Sequence, residues 1–333
     1  MNYTQQIYEI MNNKKEIVLV TAIGTATSTN IILQLKKHTD LYVIGGDINL
    51  KEQVATGRDV DEYYQFPSSV DDPEKYLDFV LGFCKEHGVS YYFAVIDEEI
   101  AGLSKRRADF EEAGVKLCIP NHDLIMTCHY KDIFYDWVSA RFPEIAIKRY
   151  KDIQEIKDYP VFIKPIEGRA SIGCRRIDNL EEMQDYTSNG FDSSRYIVQE
   201  YVEGDVITVD LVRNAFTGQK RQIQRIETLR NSSGCGIAVE TIKDEKLTEI
   251  CDALMEKLDL NGVVNAEFFR KDGRYRLIEV NPRFSAGACF SILAGCNTVL
   301  DALNIADRKE LSHCEPVIGM KMAKRYEAYV TNG

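Results

Sequence analysis

Apolar residues follow two different rhythms along this chain, and the change comes near Pro120. Before it, short continuous runs of β-branched and aromatic residues alternate with helical periods. Residues 16–22 (Glu-Ile-Val-Leu-Val-Thr-Ala), 41–47, 91–96 and 115–119 read as buried strands. Residues 30–37 and 98–113 read as helices set between them. A further helix opens at Asp72-Pro73, the aspartate as N-cap and the proline in the first turn. It carries Tyr76, Leu77, Phe79, Val80, Phe83 and Cys84 at helical spacing and stops at Gly88. Strands and helices alternating in this way predict a doubly wound parallel sheet.

Beyond Pro120 the rhythm becomes that of hairpins. A helix over residues 131–141 leads into strands at 161–164, 174–177, 196–202 and 206–213. A helix over 246–258 and two last strands, 262–269 and 274–281, complete the pattern. This second part reads as α+β and mostly antiparallel, with no internal repeat and no low-complexity linker.

The last two strands carry the most informative chemistry. Asp272-Gly273 between alternating segments is a hairpin signal. A two-residue turn there pairs Glu267 with Ile278, whereas a three-residue loop through Arg274 pairs Glu267 with Glu279. The second register segregates the faces better. It groups Val264, Ala266 and Phe268 with Ile278 and Val280, and sets Asn265, Glu267, Glu279 and Asn281 together on the other side. Opposed carboxylates on a sheet repel, and a hard divalent cation between them reverses the sign. Oxygen donors of this kind suit Mg²⁺. From the residues alone, an exposed hairpin of solvated acids accounts for the pattern equally well. Pro282 ends the ladder and leaves Arg283 just beyond it, placed to reach an anion.

Two further segments bear on an anionic ligand. Val161-Phe162-Ile163-Lys164-Pro165 is a strand ending in a lysine. The loop after it contains Gly168, Ala170, Ser171 and Gly173, which read first as a hairpin turn and are also small enough for backbone N–H groups to approach phosphate oxygens. It lacks the GxxxxGK[ST] pattern of a P-loop. Later, Gln199-Glu200-Tyr201-Val202-Glu203-Gly204-Asp205 marks a strand meeting a turn.

Composition narrows the classes. The net charge of −11 argues against a duplex nucleic-acid partner. No apolar run reaches the roughly 18 residues of a membrane span, and residues 1–6 do not open a signal peptide. Nine cysteines, an odd number at irregular spacing without a CxxC pair, indicate neither a zinc site nor a disulfide framework. Free thiols in a reducing cytoplasm are the expectation. The five histidines show no ligand spacing. Glu98-Glu99, after the strand at 91–96, reads as a pair of helix-dipole partners ahead of a ligand contact.

Taken together, Ile163-Lys164-Pro165, the small-residue loop, Gln199-Glu200-Tyr201 and Glu279-Val280-Asn281-Pro282-Arg283, in that order and spacing, resemble the ATP-grasp superfamily. In particular they resemble its carbamoyl-phosphate-synthase-like and carboxylate–amine ligase branch. The resemblance implies a Rossmann-like α/β domain over residues 1–120 and an α+β ATP-grasp domain over 121–320. The latter comprises two subdomains with antiparallel sheets, including a lid at about 150–202, and residues 321–333 form a tail. It also implies ATP and one or two Mg²⁺ (or Mn²⁺) ions. Lys131 and Lys164 would contact phosphates, and Gly168, Ser171 and Gly173 would close over them. Glu200, Tyr201 and Val202 would receive the adenine. Glu267, Glu279 and Asn281 would bind metal, and Arg283 would stabilise the transferring phosphoryl group. Arg225, in a segment lining the acceptor side, would face an anionic substrate. Family members often place an acid two residues after the hinge glycine for the ribose. Here Val206 stands there, with Asp205 beside it. Relatives also often have Asp-Lys where this chain has Tyr130-Lys131.

The activity implied is an ATP-dependent ligase acting on small-molecule carboxylates and amines, with a homodimer as the familiar assembly and no nucleic acid or membrane. Alternatives are a carbamoyl-phosphate- or carboxyphosphate-forming enzyme with a partner chain, and a non-catalytic ATP-binding protein. A nucleotide-dependent oxidoreductase is disfavoured because the first turn, residues 22–28, holds the single Gly24 and no GxGxxG.

Overall fold

A computed structural model describes residues 15–167, 172–188 and 192–331. They form two compact units. One is residues 15–119 with Val299–Ser312 and 326–331, the other the described residues of 120–298 with His313–Arg325.

The first unit holds a parallel sheet of β1 (Ile17–Thr21), β2 (Tyr42–Asp47), β3 (Glu62–Gln65), β4 (Val89–Phe93) and β5 (Lys116–Leu117), in the order β3-β2-β1-β4-β5. Helices α1 (Ala26–His38), α2 (Pro73–His87), α3 (Asp97–Lys105) and α4 (Arg107–Glu112) supply the crossovers. Asp72 caps α2 through a bond from the Lys75 amide, and Gly88 ends it at φ +64°. The helix expected over 98–113 is two helices broken at Arg106. Strand β3, Glu-Tyr-Tyr-Gln, is a polar edge strand without the apolar run that marks its neighbours.

Glu99 departs from the dipole-partner expectation. Its side chain is buried. It accepts hydrogen bonds from the Thr21 hydroxyl (2.9 and 3.0 Å) and from the phenols of Tyr76 and Tyr92. A carboxylate taken out of water needs such donors, and three elements are stitched together by supplying them.

The second unit contains two antiparallel sheets. In the smaller, β6 (Arg149–Tyr150), β7 (Val161–Pro165), β8 (Arg175–Ile177) and β9 (Tyr196–Glu200) run in the order β6-β9-β7-β8. In the larger, β10 (Asp205–Arg213), β11 (Lys220–Arg230), β12 (Gly236–Ile242), β13 (Gly262–Lys271), β14 (Arg274–Asn281) and β15 (Lys321–Ala323) run in the order β14-β13-β10-β11-β12-β15. Two helices, α5 (His122–His129) and α6 (Lys131–Arg141), precede these strands, α7 (Leu180–Ser188) follows β8, and α8 (Glu245–Lys257) follows β12. One face of the larger sheet is apolar. Ile207, Val209, Val264, Ala266 and Phe268 pack with Leu247, Leu254 and Met255 of α8 and with Phe134 and Val138 of α6. Full burial of each such leucine is worth about 1.5–3 kcal/mol. Strand alternation therefore turns the polar residues of β10, β13 and β14 to the opposite face.

The expectation of free thiols throughout is corrected at one pair. Cys296 and Cys314 form a disulfide, with Cα atoms 5.5 Å apart across 18 residues of sequence. Their approach comes from the chain returning to add β15 to the edge strand β12, a long-range event that cysteine spacing does not encode. The other seven cysteines are free. Among the described residues no helix is long and apolar enough to cross a membrane.

Candidate functional site

The β13–β14 hairpin satisfies both sequence registers in different places. At its tip Lys271 pairs with Arg274, a two-residue turn with Asp272 at φ 50° and Gly273 at φ 68°. Two successive positive φ angles are those of a type I′ turn. Phe268 then pairs with Leu277, but Glu267 pairs with Glu279, because Ile278 is an extra residue in β14. A β-bulge, and not a longer loop, opposes the two carboxylates. It also corrects the face assignment: Leu277 and Val280 lie in the core, with Ile278 outside it. One inserted residue switches the phase of the strand.

Across the sheet, Glu279, Glu267, Thr208 and Arg225 stand in one directly opposed row, and Asn281, Asn265 and Asp210 in the adjacent one. Asn281 donates its amide nitrogen to Asn265 Oδ1 (2.8 Å) and Glu279 Oε1 (3.2 Å), leaving its oxygen to serve as a ligand. Arg230 reaches Glu267 Oε2 at 2.9 Å and lies 2.7 Å from Glu227, which accepts a bond from the Thr208 hydroxyl. Burial first, and the neighbouring Glu279 second, push the Glu267 carboxyl up to about 8, against the pull of Arg230. Even with Arg230 beside it, such a group favours its protonated form at neutral pH, and a bound metal ion would favour the carboxylate.

The donor set fits a hard cation in part. Among the described residues no group of three or more His, Cys, Asp or Glu side chains is arranged to hold a metal. Two carboxylates and one amide oxygen nonetheless match an ion such as Mg²⁺, which takes few protein ligands and fills its octahedron with phosphate and water.

Lys164, at the end of β7, is buried and donates to the Tyr135 hydroxyl at 2.8 Å. Burial opposes its charge, but Tyr135 and Glu279 together hold the ammonium above the usual lysine range. Tyr135 in turn donates to the carbonyl of Ile278, also at 2.8 Å. Sequence reasoning missed Tyr135. It sits one turn after Lys131 on an amphipathic helix, where a tyrosine reads as core.

Arg225 is fully buried beside Asp210, with Nη1–Oδ2 2.9 Å. It donates to Ser285 (2.9 Å) and Ser291 (3.3 Å), while its Nε is buried with no hydrogen-bond partner among the described residues. Ser285 also accepts from the Gly287 amide. The pair thus grips the turn that follows Arg283. Arg283 itself is partly buried, its backbone N–H bonded to Asn281 and its Nη1 to the Phe284 carbonyl.

The expected nucleotide residues are more dispersed. Lys131 opens α6, its amide bonded to the Ile166 carbonyl. Glu200 closes β9, and its carboxylate accepts from the Lys148 amide at 3.0 Å. The Arg176 guanidinium lies over the Tyr201 ring at 4.4 Å. Val202 packs against the cluster of Tyr135, Ile147 and Ile197, as do Ile166 and Phe269. Asp205 is tied to Arg270 at 2.9 Å. Gly173 has φ +76°, and a side chain there would meet Pro165 at 2.9 Å. Gly168 and Ser171 lie outside the described residues.

Comparison with known proteins gives this geometry a family. Residues 131–287 match the ATP-grasp domain, and residues 18–118 match the PylC-like N-terminal domain. The chain belongs to the ATP-grasp superfamily. It is 22% identical over 144 residues to the D-alanine–D-alanine ligase of Fusobacterium nucleatum, covering 40% of this chain and 49% of that protein. Over 151 residues it is 23% identical to the carbamoyl phosphate synthase large chain of Thermoanaerobacter pseudethanolicus, covering 42% of this chain and 14% of that protein. The match therefore spans half or less of each of these relatives. In structure, the chain resembles the biotin carboxylase domain dimer of Hydrogenobacter thermophilus 2-oxoglutarate carboxylase, solved with MgADP, ADP and bicarbonate. The TM-score is 0.72 at 17% identity, covering 91% of this chain and 72% of that one.

Proposed function

We propose that this chain is an ATP- and Mg²⁺-dependent ligase that activates a carboxylate as an acyl phosphate and joins it to an amine. The opposition of Glu267 and Glu279 across the bulged hairpin carries this reading. Both carboxylates, with Asn281, would hold the metal, which when bound would neutralise the phosphates and polarise the bond to be broken. Lys164 and Lys131 would bind phosphate oxygens. Glu200, at the end of β9, with Tyr201 and Val202 just beyond it, would receive the adenine. Asp205, once freed from Arg270, stands in for the missing ribose acid.

In this scheme a substrate carboxylate oxygen attacks the γ-phosphorus and ADP leaves. The amine then attacks the acyl carbon, phosphate departs, and an amide remains. Arg283 offsets the charge on the transferring group, and Arg225, committed to Asp210, Ser285 and Ser291, holds the turn behind it. Positioning and charge neutralisation supply most of the acceleration. We assign the four-stranded sheet β6–β9 as the lid that shields the acyl phosphate from water.

The test is an ADP-release screen with pooled carboxylates and amines, with product mass determined. The expected result is Mg²⁺-dependent ADP release with a condensed product, lowered about 10²-fold or more in Glu279→Ala. Near-native turnover in that variant would contradict the assignment. Bicarbonate belongs in the screen, since the biotin carboxylase relative holds it. ADP release with bicarbonate alone would point to carboxyphosphate formation.

A further inference from the structure

We propose that Tyr135 is a positioning residue of this site: its one hydroxyl ties the Lys164 ammonium to the carbonyl of the bulged Ile278, fixing the lysine relative to Glu279. This rests on the reading of Lys164 and Glu279 as phosphate and metal residues.

The direction of both bonds follows from the donor inventory. An ammonium can only donate, so at 2.8 Å the Tyr135 oxygen accepts from Lys164. The phenol has one proton left to give, and the Ile278 carbonyl, also at 2.8 Å, takes it. That carbonyl belongs to the residue inserted in β14, where the ladder is interrupted. A buried backbone acceptor without a partner is costly, so the bulge needs a donor from elsewhere in the fold. Tyr135 supplies it from α6, and its ring is locked among Ile147 and Ile197. The lysine, meanwhile, is nearly excluded from water and needs an acceptor. One atom meets both needs. It thereby links three elements: α6, the strand β7 that carries Lys164, and the strand β14, in which Glu279 follows Ile278. A displacement of about 1 Å in such a constellation costs on the order of 10²-fold in function.

Tyr135→Phe removes the hydroxyl and keeps the ring. Two readouts judge it: crystal structures without nucleotide, and calorimetric titration with MgADP. The expected results are a shift of Lys164 Nζ or of the 278–279 backbone by about 1 Å, and MgADP binding weakened about tenfold or more. Phe134→Leu, the neighbouring core residue, is the packing control, expected to lower the melting temperature but keep MgADP affinity within about twofold. Combining Tyr135→Phe with Lys164→Met removes the buried ammonium together with its acceptor and provides a variant should the single one fail to fold. Its penalty on binding is expected to fall short of the sum of the single-residue effects of Tyr135→Phe and Lys164→Met, or, where Tyr135→Phe does not fold, to match that of Lys164→Met alone. Unchanged positions and affinity in Tyr135→Phe, equal weakening in Phe134→Leu, or a larger penalty in the double variant would each overturn the proposal. Wild-type protein that bound no MgADP would overturn the nucleotide reading instead, and the crystal comparison would still judge the tie.

Discussion

Glu267 faces Glu279 in a setting that disfavours its charge, and this has a consequence for stability. Its carboxyl is pushed up to about 8 by burial and then by Glu279. The folded chain therefore holds this proton more tightly than the unfolded chain. Below the ordinary carboxylate range the group leaves stability unaffected, and stability is lost as pH rises toward about 8. Glu267→Gln is expected to melt with the wild type at pH 5 and about 2–4 °C or more above it at pH 8, both without metal. Scanning calorimetry at the two pH values checks this, and a variant no more stable at pH 8 would contradict it. Other residues of the site were legible in varying degree. Lys164, Glu279, Asn281 and Arg283 stand in linear motifs. Tyr135 and Arg230 act through partners 143 and 37 residues away, which no local spacing reveals.

At the level of elements, the hairpin was readable because alternation and Asp-Gly are local signals, and both of its registers were in view. Which register holds depends on the bulge at Ile278, and the donor that stabilises that bulge lies on a distant helix. Deleting Ile278 is accordingly expected to remove the bulge and leave the tip pairing intact, so that Glu279 still faces Glu267, now in a regular ladder, while Tyr135 loses its carbonyl acceptor. Circular dichroism is expected to show retained sheet content, while Mg²⁺ still raises the melting temperature in the presence of ADP, by less than in the wild type. Complete loss of MgADP stabilisation in a deletion variant that keeps its sheet content would show that the opposed carboxylates alone do not set the site. Strand β3 and helix α5 went unread for a different reason. Glu62-Tyr63-Tyr64-Gln65 is an edge strand with little to bury, and residues 122–129 form a short helix without a side-chain cap.

For the molecule as a whole, the order of elements was enough to predict a parallel α/β unit followed by antiparallel sheets, because each class leaves its own hydrophobic period. Pairings made by the returning C-terminal residues were not. The Cys296–Cys314 bond is one of them. Thiol titration of the denatured, unreduced protein is expected to count seven thiols, and nine would show that the pair is open. The claim on which the rest depends is that the carboxylates at 267 and 279 make a metal-dependent nucleotide site. Calorimetric titration of the wild-type protein with ADP, in the presence of Mg²⁺ and then of chelator, tests it most directly. The expected result is saturable binding with Mg²⁺ that weakens at least tenfold without it; equal affinity under both conditions, or no binding in either, would contradict the account.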